Sequence, residues 1–266
     1  MTVSIGRSPS ETGQISPVED TIHAGGPSCP VSAGTNGLTV AGLTPLSSCD
    51  WPGRLVATVF LQGCPWRCTY CHNPALLDPT APGQVLWQQV CDLLGRRRGL
   101  LDGVVFSGGE PTRQPGLPAA MREVRALGHG VGLHTGGAYP TRLAALLPLV
   151  DWVGLDIKAL PEDYHRITGV GASGVKAFAS LELLVASGVD HEVRITVDPT
   201  VHTAEDLHRL VAGVRAVGAR QVVLQETRAE GTRPWYAEAL AGRRLRDVID
   251  PVPEGAVVRT GGLGDW

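Results

Sequence analysis

Residues 55–74 read LVATVFLQGCPWRCTYCHNP, and this stretch decides the class of fold. It opens with a nearly continuous apolar run over residues 55–61, which is typical of a strand buried on both faces of a parallel sheet. A loop that contains Cys64, Cys68 and Cys71 follows directly, with the spacing C-x3-C-x2-C. Three cysteines within eight residues indicate metal ligation in a reducing compartment rather than disulfide bonds.

The rest of the chain alternates short apolar strand patterns with longer helical ones. The predicted strands cover residues 55–61, 103–107, 130–134, 152–157, 192–197 and 221–225. The predicted helices lie near residues 84–96, 115–127, 140–148, 174–187, 203–217 and 235–247. Such alternation is the signature of parallel βα units joined by right-handed crossovers. We therefore predict an α/β fold, a partial (β/α)6 barrel with its chemistry at the carboxyl ends of the strands.

The composition of the 266 residues predicts one catalytic domain. Residues 1–37 are rich in Ser, Gly, Pro and Thr, so we expect a flexible N-terminal extension there and the catalytic domain over residues 38–266. The net charge of −3 leaves no broad basic surface with which to bind nucleic acid. No apolar run approaches the roughly 20 residues that span a bilayer, and the first residues lack a secretory pattern. We therefore expect a cytoplasmic protein without a membrane partner.

The cysteine loop fits an iron–sulfur cluster. A [4Fe–4S] cube has four irons, so thiolates from Cys64, Cys68 and Cys71 can hold three of them and leave the fourth open to a ligand. Electron-transfer ferredoxins supply a fourth cysteine, and Cys91 lies too far along the chain to serve. The alternative is a zinc site in which His72 completes a Cys3His set.

The other three cysteines, Cys29, Cys49 and Cys91, are scattered along the chain. We predict that none of them binds metal, that Cys29 lies in the flexible extension, and that Cys49 and Cys91 are small buried hydrophobes. Because no further group of cysteines follows Cys71, the sequence indicates a single cluster.

The C-x3-C-x2-C spacing after a first strand, with Tyr70 just before the last cysteine, resembles the radical S-adenosylmethionine superfamily. The resemblance implies an oxygen-sensitive [4Fe–4S] cluster on Cys64, Cys68 and Cys71. It also implies that S-adenosylmethionine chelates the open iron and is cleaved by one electron to a 5′-deoxyadenosyl radical. Tyr70 would approach the adenine through its backbone, and the alternative is an aromatic side chain that packs the loop.

Two further motifs follow the second and third predicted strands. Gly108, Gly109 and Glu110 resemble the superfamily's Gly-Gly-Glu motif, which hydrogen-bonds the methionyl amino group; an ordinary strand-to-helix turn is the alternative. His134 and Thr135 stand where similar activating enzymes carry Asp-Thr-Asn-Gly, so Thr135 matches and His134 departs. His134 is a candidate donor to a ribose hydroxyl, or else a strand-end histidine satisfied by the backbone.

Four side chains near later strand ends complete the candidate site. Asp156 and Lys158 are two residues apart and therefore point to the same face; they resemble the Asp-x-Lys pair that lies near S-adenosylmethionine in activating enzymes. The alternative is a structural salt bridge. Arg194 would be a costly charge if it pointed inward unpaired, so it is a candidate contact to the carboxylate of the substrate or cofactor. Gln225 is a weaker candidate for the adenine or ribose side.

Within the superfamily, residues 43–73 resemble activators of anaerobic ribonucleotide reductase. This implies that the substrate is a glycine of a glycyl-radical enzyme, and that a low-potential donor such as flavodoxin or ferredoxin supplies the electron. The first alternative is a radical enzyme that acts on a small molecule, such as a 7-carboxy-7-deazaguanine synthase. The second is a zinc-stabilised binding module without enzymatic activity.

Overall fold

A computed structural model describes Thr35 and residues 37–260. Most of the predicted N-terminal extension, Cys29 included, lies outside the described residues, and the predicted division of the chain at residue 38 stays a prediction. The strands of the described part are β1 (Val40–Ser47), β2 (Val56–Leu61), β3 (Gly103–Gly108), β4 (Gly130–Thr135), β5 (Trp152–Asp156), β6 (Asp190–Val197), β7 (Val222–Glu226) and β8 (Ala256–Arg259). The α-helices are α1 (Trp87–Arg96), α2 (Leu117–Ala126), α3 (Pro140–Leu146), α4 (Tyr164–Thr168), α5 (Ser173–Ser187), α6 (Ala204–Val217) and α7 (Pro234–Leu240).

The strands form one sheet in the order of the sequence. β2 to β8 pair in parallel, and β1 pairs antiparallel with β2. Within the described residues β1 and β8 do not pair with each other, so the barrel is open. Because parallel strands share one direction, their carboxyl ends meet at one rim, which is where such folds place their chemistry. The predicted α/β partial barrel is confirmed.

One face of the sheet, here called the outer face, is apolar and packs against the helices. Its residues on β2 to β7 are Ala57, Val59, Leu61, Val104, Phe106, Val131, Leu133, Val153, Leu155, Val193, Ile195, Val197, Val222 and Leu224. All of them are essentially inaccessible to solvent and belong to a single hydrophobic core that includes helix residues such as Leu94 and Met121. Burial of this apolar area is the main favourable contribution to folding.

The opposite face, here called the inner face, carries polar side chains and glycines. Its residues include Thr58, Gly103, Ser107, Gly132, His134, Gly154, Asp156, Glu192 and Arg194. The glycines leave room for Trp51, because a Cβ at Gly132 would lie 2.9 Å from the Trp51 ring. Trp51 stacks on Trp152 with 5.7 Å between ring centroids, and both rings lie toward the amino ends of β3 to β5.

All six predicted strands are present, but the sheet also contains β1 and β8, which the sequence patterns did not predict. β1 includes Gly42 and Pro45 and has register shifts; a proline is tolerated because β1 is an edge strand. β8 has only four residues. The short helix α4 was also not predicted.

Two further expectations are wrong. The last helix ends at Leu240 instead of continuing to residue 247, because Ala241 and Gly242 adopt left-handed backbone angles with φ of 50° and 75°. Cys49 is exposed in the connection between β1 and β2 rather than buried, whereas Cys91 is buried in α1 as predicted. No helix of the described part is long and apolar enough to cross a bilayer.

Candidate active site

The cysteine loop follows β2 and is fixed by its own backbone. Gly63 N donates to Leu76 O at 2.8 Å, and Cys64 N donates to Leu77 O at 3.2 Å. Cys71 N donates to Cys68 O at 3.2 Å, which closes a turn around the last two cysteines. The loop therefore presents its thiols from a backbone that is already ordered by main-chain hydrogen bonds.

The Gly-Gly-Glu segment after β3 packs directly on the cysteine loop. Gly109 N donates to Leu61 O and Glu110 N donates to Gly63 O, both at 2.9 Å. A Cβ at Gly109 would lie 2.4 Å from Gly63 O, and Gly108 has a φ of +113°. Both glycines are thus required for close contact between the two loops. The motif alone did not predict this packing role of the two glycines.

The Glu110 carboxylate is buried and fully hydrogen-bonded. Oε1 accepts from Thr112 N at 3.1 Å, from the Thr112 hydroxyl, and from Thr135 Oγ1 at 2.7 Å; Oε2 accepts from Gly136 N at 2.9 Å. Burial raises the pKa of Glu110, and these donors oppose that rise. Glu110 and Thr135, predicted separately, are therefore brought into direct contact, and together they tie the ends of β3 and β4.

Helix α4 holds the cysteine loop from the other side. Arg67 N donates to Thr168 O at 2.9 Å, and Thr69 N donates to Ile167 O at 3.0 Å. Trp66 meets the ring of Tyr164 edge-on at 5.7 Å between centroids. The loop is thus clamped between the glycine segment and α4, which limits the positions that its three thiols can take.

The thiols lie in a low-dielectric environment. Burial, assisted by Glu110, raises the pKa of Cys64 to about 12, and burial also raises the pKa of Cys68. Lys158 opposes both rises. Nearby positive charge is therefore needed before these thiols ionise, as bound iron would supply. Within residues 37–260, no three His, Cys, Asp or Glu side chains converge as a group for one metal ion.

Tyr70 belongs to the cysteine loop, and its side chain lies next to Lys158. Its ring is 5% exposed, and its hydroxyl has no hydrogen-bond partner among the described residues. Lys158 Nζ lies 5.6 Å from the ring centroid, a cation–π geometry. The packing role considered for Tyr70 is therefore present in the structure.

Asp156 is paired with two cations at the end of β5. Its Oδ2 lies 3.6 Å from Lys158 Nζ, and its Oδ1 accepts from Arg194 Nε at 3.1 Å. Burial would raise the pKa of Asp156, but Arg194 and Lys158 outweigh it and the pKa is lowered. Burial would lower the pKa of Lys158, but Tyr70, Cys68 and Asp156 raise it well above its usual value. The pair is therefore ionised, with Arg194 already bound to Asp156.

His134 lies on the inner face rather than free at the rim. Its Nε2 is 2.7 Å from Asp50 O, and its Nδ1 is 3.3 Å from Ser107 Oγ. Burial, with Arg194 nearby, lowers the pKa of His134 to about 3. Arg194 Nη1 also lies 3.1 Å from Nε2, so the ring contacts a guanidinium donor as well as the Asp50 carbonyl and the Ser107 hydroxyl. Gln225 is half-buried on β7, two strands away from Asp156, and the ion pairs above do not include it.

Asp198 and His202 also hold this region, and the sequence patterns did not single them out. Asp198 is fully buried after β6 and accepts from Thr69 Oγ1 of the cysteine loop at 3.1 Å. His202 Nδ1 accepts from Asp198 N at 3.0 Å, and its Nε2 lies 2.9 Å from Lys158 O. The sequence contained one signal for Asp198, because this residue directly follows a buried strand and so lies at the same rim as the cysteines.

The fold and this rim define a class of enzyme. The model of the radical SAM superfamily matches residues 58–211, more than half of the chain. The chain therefore belongs to the radical S-adenosylmethionine superfamily. Its cofactors are a [4Fe–4S] cluster and S-adenosylmethionine, and it is an enzyme rather than a zinc-stabilised binding module.

The chain is similar in sequence to two proteins named as activating enzymes. A Methanocaldococcus jannaschii protein assigned as a glycyl-radical enzyme activating enzyme is 28% identical over 183 residues, which cover 66% of this chain and 75% of the relative. The pyruvate formate-lyase-activating enzyme of Clostridium pasteurianum is 32% identical over 171 residues, 62% of this chain and 71% of the relative. A solved radical SAM methyltransferase from Sphaerobacter thermophilus superposes with a TM-score of 0.55 at 16% identity, covering 84% of this chain and 77% of that chain. This last likeness shows the fold alone.

Proposed function

We propose that this enzyme generates a glycyl radical on a partner protein. The observation that carries the proposal is the meeting, at one rim of an open barrel, of the cysteine loop with the Asp156–Lys158 pair, in a chain whose curated relatives carry the names of activating enzymes. The cluster and S-adenosylmethionine supply a 5′-deoxyadenosyl radical when bound. Such a radical would take a hydrogen atom from a glycine of the partner, with methionine, 5′-deoxyadenosine and a glycyl radical as the products.

In this proposal the thiolates of Cys64, Cys68 and Cys71 hold the cluster. The donor set fits, because three thiols from one ordered loop occupy three irons and leave one for S-adenosylmethionine. Lys158 remains cationic beside Cys68, so it offsets the negative charge that the ionised thiolates bring to a buried site.

The remaining predicted residues are assigned to three parts of S-adenosylmethionine. The Gly108–Gly109 backbone and Glu110 would hold the methionyl amino group, and Thr135 would support Glu110 through its hydrogen bond to that carboxylate. Tyr70 and His134 are proposed on the adenine and ribose side, together with Gln225. Asp156, Lys158 and Arg194 are proposed beside the methionyl carboxylate and the reacting carbon, where their charges are already arranged.

The partner is a glycyl-radical enzyme, which would present its substrate glycine on a peptide loop at the rim of the open barrel. Anaerobic ribonucleoside-triphosphate reductase is our first candidate, because residues 43–73 resemble its activators. Pyruvate formate-lyase is a second candidate, favoured by the name of the Clostridium relative. The electron comes from a low-potential donor such as flavodoxin or ferredoxin, and the reaction takes place in the cytoplasm.

Electron paramagnetic resonance tests this proposal. The reduced enzyme is mixed without air with S-adenosylmethionine and each candidate partner, and we expect a glycyl-radical signal with one of them. The control is the same partner with its radical-site glycine changed to alanine, which should give no signal. Formation of 5′-deoxyadenosine without a radical on either partner would favour a small-molecule substrate, as in a 7-carboxy-7-deazaguanine synthase.

A further inference from the structure

Helix α4 connects the two halves of the candidate site. Its last two residues, Ile167 and Thr168, accept backbone hydrogen bonds from the cysteine loop at 3.0 and 2.9 Å. Its first residue, Tyr164, lies against the end of β5 and is fully buried. With five residues, α4 is only about 7.5 Å long, so it is a short connection between the cysteine loop and the end of β5.

The Tyr164 hydroxyl makes two hydrogen bonds at the end of β5. It accepts from Lys158 N at 3.1 Å and donates to Asp156 O at 3.3 Å. These are the backbone groups of the two residues whose side chains form the ion pair, and the Tyr164 hydroxyl therefore spans the turn between them. His202 binds the Lys158 carbonyl, so both sides of the Lys158 backbone are held.

The helix itself is anchored to its surroundings. Thr168 Oγ1 donates to Tyr164 O at 3.0 Å and lies 2.7 Å from the Ser173 hydroxyl at the start of α5. The Tyr164 ring also packs edge-on against Trp66 of the cysteine loop. Tyr164 is thus in contact with the loop through its ring and with β5 through its oxygen.

We infer that Tyr164 is a positioning residue, whose hydroxyl fixes Asp156 and Lys158 relative to the cysteine loop that α4 clamps. This inference rests on the proposed roles of the three cysteines and of the Asp156–Lys158 pair. Tyr164 does not reach the reacting atoms, and it acts only through the backbone of its two neighbours. Small errors in the placement of a charged pair are costly in catalysis, since the pair must be oriented before the reaction occurs.

The test is Tyr164→Phe, which removes one oxygen and keeps the ring against Trp66. The matched control is Tyr139→Phe, the same change at a half-buried tyrosine whose ring lies 5.0 Å from the Arg142 guanidinium. We expect Tyr164→Phe to keep the iron and sulfide content of the wild type. Its rate of 5′-deoxyadenosine formation per cluster should fall roughly tenfold, because the buried Lys158 N–H loses its acceptor. The control should leave both quantities unchanged.

A second measurement does not depend on the loaded enzyme. In the apoprotein, amide hydrogen exchange at Lys158 should be roughly tenfold faster in Tyr164→Phe than in the wild type or the control. An unchanged rate of 5′-deoxyadenosine formation per cluster in Tyr164→Phe would overturn the inference. A total activity that falls only in proportion to the iron content is the same outcome, because the rate per cluster is then unchanged. A wild-type enzyme that forms 5′-deoxyadenosine but no glycyl radical would instead count against the proposed function. Unchanged exchange at Lys158 would overturn the inference by itself.

Discussion

The two faces of the sheet are built on different principles. On the outer face, residues such as Leu133, Leu155 and Ile195 are wholly buried, and each contributes by filling space against helices. On the inner face, Arg194 is buried and Asp156 is half-buried, and each contributes through a specific partner. An apolar contact tolerates replacement by a residue of similar volume, whereas a buried charge without its partner is strongly unfavourable. The outer face therefore determines the fold, and the inner face determines the chemistry.

The largest effect that separates the two regions is expected from Cys68→Ala. This variant should lose cluster assembly and S-adenosylmethionine cleavage while retaining much of its fold, because Cys68 belongs to the loop rather than to the packed core. Iron, sulfide and 5′-deoxyadenosine are measured on protein purified without air. The control is Cys91→Ala, a change in helix α1 within the hydrophobic core, and this variant should keep the iron content of the wild type. Normal 5′-deoxyadenosine from Cys68→Ala would contradict the ligand assignment.

On the inner face, we expect Asp156→Asn to reduce radical transfer to the partner by about a hundredfold, since the loss of its charge releases Lys158 and Arg194 from their fixed positions. Iron content should fall much less. The glycyl-radical yield and the iron content are measured on the same preparations. If both quantities fell together, Asp156 would be a structural residue.

On the outer face, Leu133→Ala should reduce the free energy of unfolding by about 2–5 kcal/mol, because it leaves a cavity in a fully buried position. Denaturant titration of the apoprotein measures this change. The rate of 5′-deoxyadenosine formation per cluster should remain that of the wild type at low temperature. A reduced rate per cluster would show that the two faces are coupled.

The smallest effect concerns pH. The folded protein holds His134 neutral, with its pKa lowered from 6.5 to about 3. At a pH between these two pKa values, the unfolded chain binds one more proton than the folded protein. The free energy of unfolding should therefore fall as the pH drops from about 6.5 toward 4.5. Over this pH interval, we expect the free energy of unfolding of the His134→Gln apoprotein to fall by roughly 1–2 kcal/mol less than that of the wild type. Parallel pH profiles for the two proteins would argue against a neutral, buried His134.

The sequence predicted the elements that have strong local patterns. Continuous apolar runs identified the central parallel strands, and the cysteine spacing identified the loop. The edge strands β1 and β8 were not predictable in this way, because a strand with a free edge accommodates Pro45 or a length of four residues. Helix α4 is too short to show a helical period.

Side-chain pairing was harder to predict than position. Glu110 was identified from its motif, but its bonds to Thr135 and Gly136 depend on how β3 and β4 come together. Arg194 was predicted to contact the carboxylate of the substrate or cofactor, and the structure shows it paired with Asp156, 38 residues earlier. Such long-range partners are set by the register of neighbouring strands and leave no local pattern in the sequence.

The Trp51–Trp152 stack lies toward the amino ends of the strands, opposite the rim that carries the Asp156–Lys158 pair. Along the strands, the inner face therefore changes from stacked indole rings to paired charges.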